Sequence, residues 1–242
     1  MFYTGTIAEE PEAFYLINIC HDRIGSKCLG AYIKERWVVV AWECAKEADA
    51  DIAYLVGYSP NLNCTTGLER EINLLVFQSD HAANSDRELV LIRLFKDMEP
   101  LSGVKKIEIE TGSLQLHEIC HCFIYETRGL IELEVDIVNT EVCLGEYRDG
   151  RFETEIMICG YIDGTETILS GLTPLVCKEK LVGFVVGHSN SLLKILTVAS
   201  QMDWIEMVTK FSARRSGSIK QWKLKFLSMV LVWICFRFKY IT

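Results

Sequence analysis

Three features are missing from this 242-residue chain. No apolar run is long enough to span a bilayer. The longest, Phe226 to Phe236, has eleven residues and would extend about 16 Å as a helix, against a hydrocarbon core of about 30 Å. No internal repeat and no low-complexity linker divides the sequence, so a solenoid or a string of modules is excluded. Acidic residues are absent from residues 209 to 242, which hold eight basic ones; the remainder holds 17 basic and 33 acidic residues, so a body of −16 carries a tail of +8. Such a body repels phosphates, and no nucleic-acid partner is expected. The asymmetry marks the tail as an interaction segment.

What is present is β-rich. Ala31 to Ala41, Ile52 to Val56, Ile72 to Phe77, Leu89 to Leu94, Lys106 to Ile109, Ile131 to Val135 and Leu181 to Val186 are β-branched and aliphatic runs bounded by polar turns. Only Gln201 to Arg214 reads as a helix. Closed barrels remove the sheet edges such runs would expose, and 242 residues suffice for a sizeable core. Ten cysteines point to an oxidising compartment.

Several segments carry a resemblance to trypsin-like serine proteases. Cys28 and Cys44 stand sixteen apart around Trp37, Val38, Val39 and Val40, as in the family's histidine loop, but Glu43 occupies the place of the histidine. The opening Phe2-Tyr3-Thr4-Gly5, the strand Asp86-Arg87-Glu88-Leu89-Val90-Leu91, and Cys120 with Tyr125 are similar to family landmarks. So are Val138-Asn139-Thr140-Glu141-Val142-Cys143 running on to Cys159-Gly160, Ser170-Gly171-Leu172-Thr173-Pro174-Leu175-Val176-Cys177, and Asp203-Trp204-Ile205. The resemblance covers residues 2 to 211. It implies an all-β fold of two packed six-stranded antiparallel barrels with a C-terminal helix. It also implies a homology domain over residues 1–211, followed by a basic and apolar extension over 212–242.

The resemblance also says which chemistry to look for. Acyl transfer in this family needs a serine nucleophile, a histidine base, an orienting carboxylate and backbone donors for the oxyanion. The positions that would supply the triad are Gly171, Glu43 and Glu88, so none carries its usual residue. The oxyanion-hole glycine position falls on Leu169, and the aspartate that would pair with an activated N-terminus falls on Ser170, with Phe2 at the start of the chain. A one-residue slip would make Ser170 the nucleophile, without a histidine in the loop. Glu43 and Glu88 as an acid/base pair is the weaker reading beside two partly solvated carboxylates in a decayed cleft. Val186-Gly187-His188 replaces the Ser-Trp-Gly strand of the primary pocket, with Thr165 near its floor.

By the same resemblance, three disulfides are expected: Cys28 with Cys44, Cys120 with Cys177, and Cys143 with Cys159. The family's fourth bridge has lost both cysteines, with Thr167 in place of the first. Cys20, Cys64, Cys122 and Cys235 are left over. Cys120-His121-Cys122 and Cys20-His21-Asp22 resemble ligand runs, but adjacent residues on a strand point to opposite faces, so no metal is expected. No cofactor is expected either. Asn63-Cys64-Thr65 is a glycosylation sequon, relevant to a secreted chain.

An export leader is not visible ahead of the domain. For a disulfide frame the expectation is a secreted protein whose export segment lies upstream of residue 1; the alternative is a chain kept in the cell with reduced cysteines. Function follows as a non-catalytic homologue that binds or regulates proteins, with a protease or other cascade component as the partner class. The alternatives are a residual hydrolase using Ser170, a membrane-surface accessory acting through residues 212–242, with Trp222, Trp233 and Phe238 at the headgroups, and a product without selected function. Docking of the tail onto the body is a further reading.

Overall fold

The computed structural model describes residues 15–20, 27–46, 54–57, 68–78, 89–97, 104–126, 129–147, 152–163 and 173–212. They form two β-sheets and three helices. The first sheet contains β1 (Leu16–Cys20), β2 (Lys27–Lys34), β3 (Trp37–Ala41), β4 (Tyr54–Gly57), β5 (Leu68–Phe77) and β6 (Leu89–Leu94). It is a closed antiparallel barrel in the order β1-β2-β3-β6-β5-β4.

The second sheet contains β7 (Glu108–Ile109), β8 (Ile119–Glu126), β9 (Gly129–Val138), β10 (Met157–Tyr161), β11 (Thr173–Cys177), β12 (Lys180–Ser189) and β13 (Leu192–Thr197). Its order is β11-β8-β9-β10-β13-β12-β7, and β11 also pairs with β12, so six antiparallel strands return on themselves. The two-residue strand β7 adds to β12 in parallel, a departure from the wholly antiparallel expectation.

Why the strands lack simple alternation is visible in how they share two cores. On β3, Trp37, Val39 and Ala41 face the core between the sheets, while Val38 and Val40 face the barrel interior. β6 divides the same way, with Leu89 and Leu91 on one side and Val90, Ile92 and Leu94 on the other. Burial on both faces turns the period-2 pattern into a continuous apolar run. The core between the sheets also takes Phe123, Val176, Leu181, Phe184, Leu196, Trp204 and Ile205, so it binds both sheets and the last helix together. A separate interior cluster around Leu133, Val135, Leu175, Val185 and Ile195 fills the second sheet.

The single run Ala31 to Ala41 resolves into two strands. Glu35 and Arg36 turn between β2 and β3, Arg36 at φ 60°, a left-handed conformation that a strand-propensity reading does not reveal. Lys178 and Glu179, at φ 49° and 63°, form the tight link between β11 and β12, a geometry matching the twist of a hairpin.

Two short helices join the ending one. α1 (Trp42–Lys46) follows β3 directly, and α2 (Thr140–Glu146) starts where Asn139 Oδ1 accepts the Glu141 amide at 3.0 Å. The C-terminal helix α3 spans Met202–Ser212 after a 3-10 turn at Ala199–Gln201; Ala213 and Arg214, expected to extend it, lie outside the described residues. No helix among the described residues is long and apolar enough to cross a membrane.

Candidate functional site

Among the candidate residues, Glu43 follows a strand end that meets the start of another. β3 ends at Ala41, which pairs with Leu89, the first residue of β6. Glu43 lies two residues beyond Ala41, in the first turn of α1, partly exposed. Cys44 beside it is buried and disulfide-bonded, and Ala45 is buried against the barrel interior, so the helix is anchored on the side away from solvent. Glu88 immediately precedes β6 in sequence but lies outside the described residues, as do Gly171, Ser170, Leu169, Thr165 and Thr167.

In the second sheet, β11 begins at Thr173, two residues after Gly171 in sequence. Thr173 is buried. Its Oγ1 accepts the amide of Phe123 at 3.1 Å and donates to the carbonyl of Pro174 at 3.4 Å, which pins the start of β11 to β8. The amide of Leu89 donates to Gln201 Oε1 at 3.3 Å, which pins the start of β6 to the turn before α3. Both strand starts are therefore held by buried side-chain hydrogen bonds.

Two expected disulfides are present, Cys120–Cys177 and Cys143–Cys159, with Cα separations of 4.3 and 5.8 Å. The first ties β8 to the end of β11; the second ties α2 to β10. For the third, Cys44 is disulfide-bonded, while Cys28 sits on β2 with its side chain outside the described residues. Cys122 is a free, buried thiol on the inner face of β8, and desolvation pushes its pKa up to about 12. Asn63, Cys64 and Cys235 lie outside the described residues, as does the side chain of Cys20. Among the described residues no group of three or more His, Cys, Asp or Glu is placed to hold a metal ion.

Histidines described here are not on α1. His117 Nδ1 lies 3.2 Å from Asp136 Oδ2, and His121 Nδ1 lies 2.9 Å from Glu132 Oε1, the latter close by distance but off the line of a hydrogen bond. Both are on the β8–β9 side of the second sheet. His188 is exposed on β12.

One residue the sequence reading did not single out is Lys194 on β13. It pairs in register with Gly187, its side chain is buried, and its stem passes 3.2 Å from where a Cβ on Gly187 would stand. Its Nζ lies 5.6 Å from the Tyr147 ring centroid. The strand expected to line the pocket therefore carries a lysine stem over its glycine. The signal available in sequence was Gly187 itself, a strand position with no side chain of its own. Burial, then Glu146, pushes the Tyr147 hydroxyl up to about 12.

A closed barrel and a second sheet sharing one core with it define a two-sheet β protein of the chymotrypsin-like class. The trypsin family model matches residues 12–205, and the chain belongs to that family. Submandibular glandular kallikrein-9 of Rattus norvegicus is 23% identical, over 76% of this chain and 81% of that protein. Among solved structures, scabies mite inactivated protease paralogue S-I1 aligns at a TM-score of 0.72 with 15% identity, over 82% of this chain and 95% of that one. Neuropsin, a serine protease expressed in the limbic system of mouse brain, aligns at 0.71 with 17% identity, over 85% and 99%.

Proposed function

We propose that this chain is a non-catalytic member of the trypsin family, a secreted, disulfide-bonded module that binds or regulates other proteins. The observation that carries the reading is Glu43: an acceptor-only carboxylate, when ionised, in the first turn of α1 beside disulfide-bonded Cys44, at the position that the family resemblance assigns to the imidazole base. The aligned nucleophile position, Gly171, has no hydroxyl or thiol, and Glu88 is a methylene longer than the aspartate that orients the base. The likeness of the fold to scabies mite inactivated protease paralogues supports the reading, as do the disulfides for an extracellular location. Residues 1–211 make up the trypsin-like homology domain and 212–242 a basic and apolar extension.

The test is reaction of the purified, oxidised protein with a fluorophosphonate serine probe, alongside Ser170→Ala. The expected result is no labelling of either protein. Labelling of the natural chain that disappears in Ser170→Ala overturns the reading and restores a hydrolase.

A further inference from the structure

The outer face of the second sheet combines exposed apolar side chains with negative charge. Asp136 on β9 stands in register with Ile119 on β8 and Tyr161 on β10, so the three form one row across the sheet. Their neighbours Cys120, Val135 and Ile137 point into the barrel interior. Ile119 and Tyr161 are 49% and 39% exposed, and Leu116, just ahead of β8, is 61% exposed. At the end of β9 the chain enters α2, whose Val142 and Leu144 are also exposed. Five of the seven exposed large hydrophobics among the described residues thus belong to β8, β10, α2 and the approach to β8.

The charge around this face is mostly negative, with Lys178 pairing Glu118 at 3.1 Å. Segments 116–121, 132–147 and 159–163 contain seven carboxylates and no Lys or Arg. Glu134 and Glu141 are exposed there. Asp136 spends one oxygen on His117, and its other oxygen, Oδ1, is buried with no hydrogen-bond partner among the described residues. A surface of this kind selects an occupant with apolar side chains and positive charge.

Residues 213–242 of the same chain have that chemistry. They contain seven Lys and Arg, no acidic residue, and the apolar run Phe226 to Phe236. From Trp222 to Phe226 apolar and basic residues alternate, Trp222-Lys223-Leu224-Lys225-Phe226, which separates the two kinds onto opposite sides of an extended chain. Extended at about 3.3 Å per residue, residues 213–226 reach about 46 Å, against a radius of gyration of about 17 Å for a compact body of this size. Contact with this face is therefore within reach from the end of α3.

We infer that residues 213–242 dock in cis on the face formed by Leu116, Ile119, Asp136 and Tyr161, with the apolar run covering the exposed hydrophobics and the lysines meeting the surrounding carboxylates. The contact does not depend on the catalytic state of the chain.

The experiment is zero-length carbodiimide crosslinking of the full, oxidised chain at low concentration, with the monomer band isolated and its crosslinked peptides mapped by mass spectrometry. The expected result is amide links from Lys220, Lys223 or Lys225 to Glu134, Asp136 or Glu141 within monomers, abolished in a double variant, Ile119→Arg with Tyr161→Arg, that retains its near-ultraviolet circular dichroism. Links confined to dimers would assign the face to a second copy and overturn the inference. So would lysine links that avoid this face, or no tail links at all. If the double variant does not fold, the map of the natural chain decides by itself.

Discussion

The Leu89 amide donates a hydrogen bond to Gln201 Oε1 at 3.3 Å, joining the first residue of β6 to the turn that leads into α3, 112 positions later. Gln201 is buried, so this amide has no water to fall back on. Gln201→Leu leaves the donor buried without that acceptor, and a loss of about 1–3 kcal/mol in stability is expected. Urea unfolding should show a lower midpoint with an unchanged slope.

Two glycines respond to alanine in opposite directions. A Cβ on Gly183 in β12 would lie 2.3 Å from the Leu196 carbonyl oxygen on the neighbouring strand, and backbone cannot move aside cheaply. Gly183→Ala should destabilise by several kcal/mol, on the order of the larger overpacking penalties, or abolish folding. Gly145 in α2 has nothing within 4 Å of its would-be Cβ, so Gly145→Ala should stabilise by about 0.5–1 kcal/mol through helix propensity. Thermal unfolding of the two variants checks both signs.

Removing each described disulfide should cost more for the longer loop it closes, rising with the logarithm of loop length. The separations are 57 residues for Cys120–Cys177 and 16 for Cys143–Cys159. Chain entropy then gives about 4 and about 3 kcal/mol for the paired replacements by alanine, read from denaturant unfolding. In the oxidised native protein, the buried Cys122 thiol, its pKa pushed up to about 12, should resist thiol reagents at neutral pH. Labelling should appear once the protein is unfolded.

Alkaline pH should destabilise the fold before it ionises the buried groups. Burial, then neighbouring carboxylates, raises the folded pKa of Tyr147 from 10.0 to about 12 and raises that of Tyr15 as well. The folded state therefore holds protons that the unfolded state releases. The stabilising difference is fully present below the ordinary tyrosine value and is lost as pH rises from there towards the folded values. Tyrosinate absorbance of the native protein should lag that of the unfolded chain, and the denaturant midpoint should fall through the same window.

On the acid side, Glu110 and Glu206 work in the reverse sense. Glu110 Oε1 accepts the Gly112 amide at 2.8 Å, with Lys180 nearby, and the Lys210 ammonium bonds Glu206, so both carboxyls titrate below their usual range. Both are surface groups, and only a shallow loss of stability is expected as pH falls through their folded pKa values. Urea midpoints measured across that range, with Glu110→Gln as control, would show it.

Sequence carried the fold well where residues announce their environment. Val38 to Val40 and Leu89 to Leu94 read as strands because burial on two faces needs unbroken apolar runs. The cysteine positions anticipated Cys120–Cys177 and Cys143–Cys159 through the family resemblance. It carried less where backbone conformation decides: nothing in the side chains of Glu35 and Arg36 announced the turn that splits Ala31 to Ala41, nor did β7 announce a parallel pairing.

By itself, the sequence determined which side chains this chain has for chemistry: a carboxylate at Glu43, no nucleophile at Gly171, a basic tail and an acidic body. Those are properties of residue identity and need no coordinates. Only the tertiary structure decided which residues stand against one another. Gln201 with Leu89 arises from packing of the turn before α3, Lys194 over Gly187 from hairpin register, and Ile119, Asp136 and Tyr161 in one row from sheet register, none of which residue identity alone specifies.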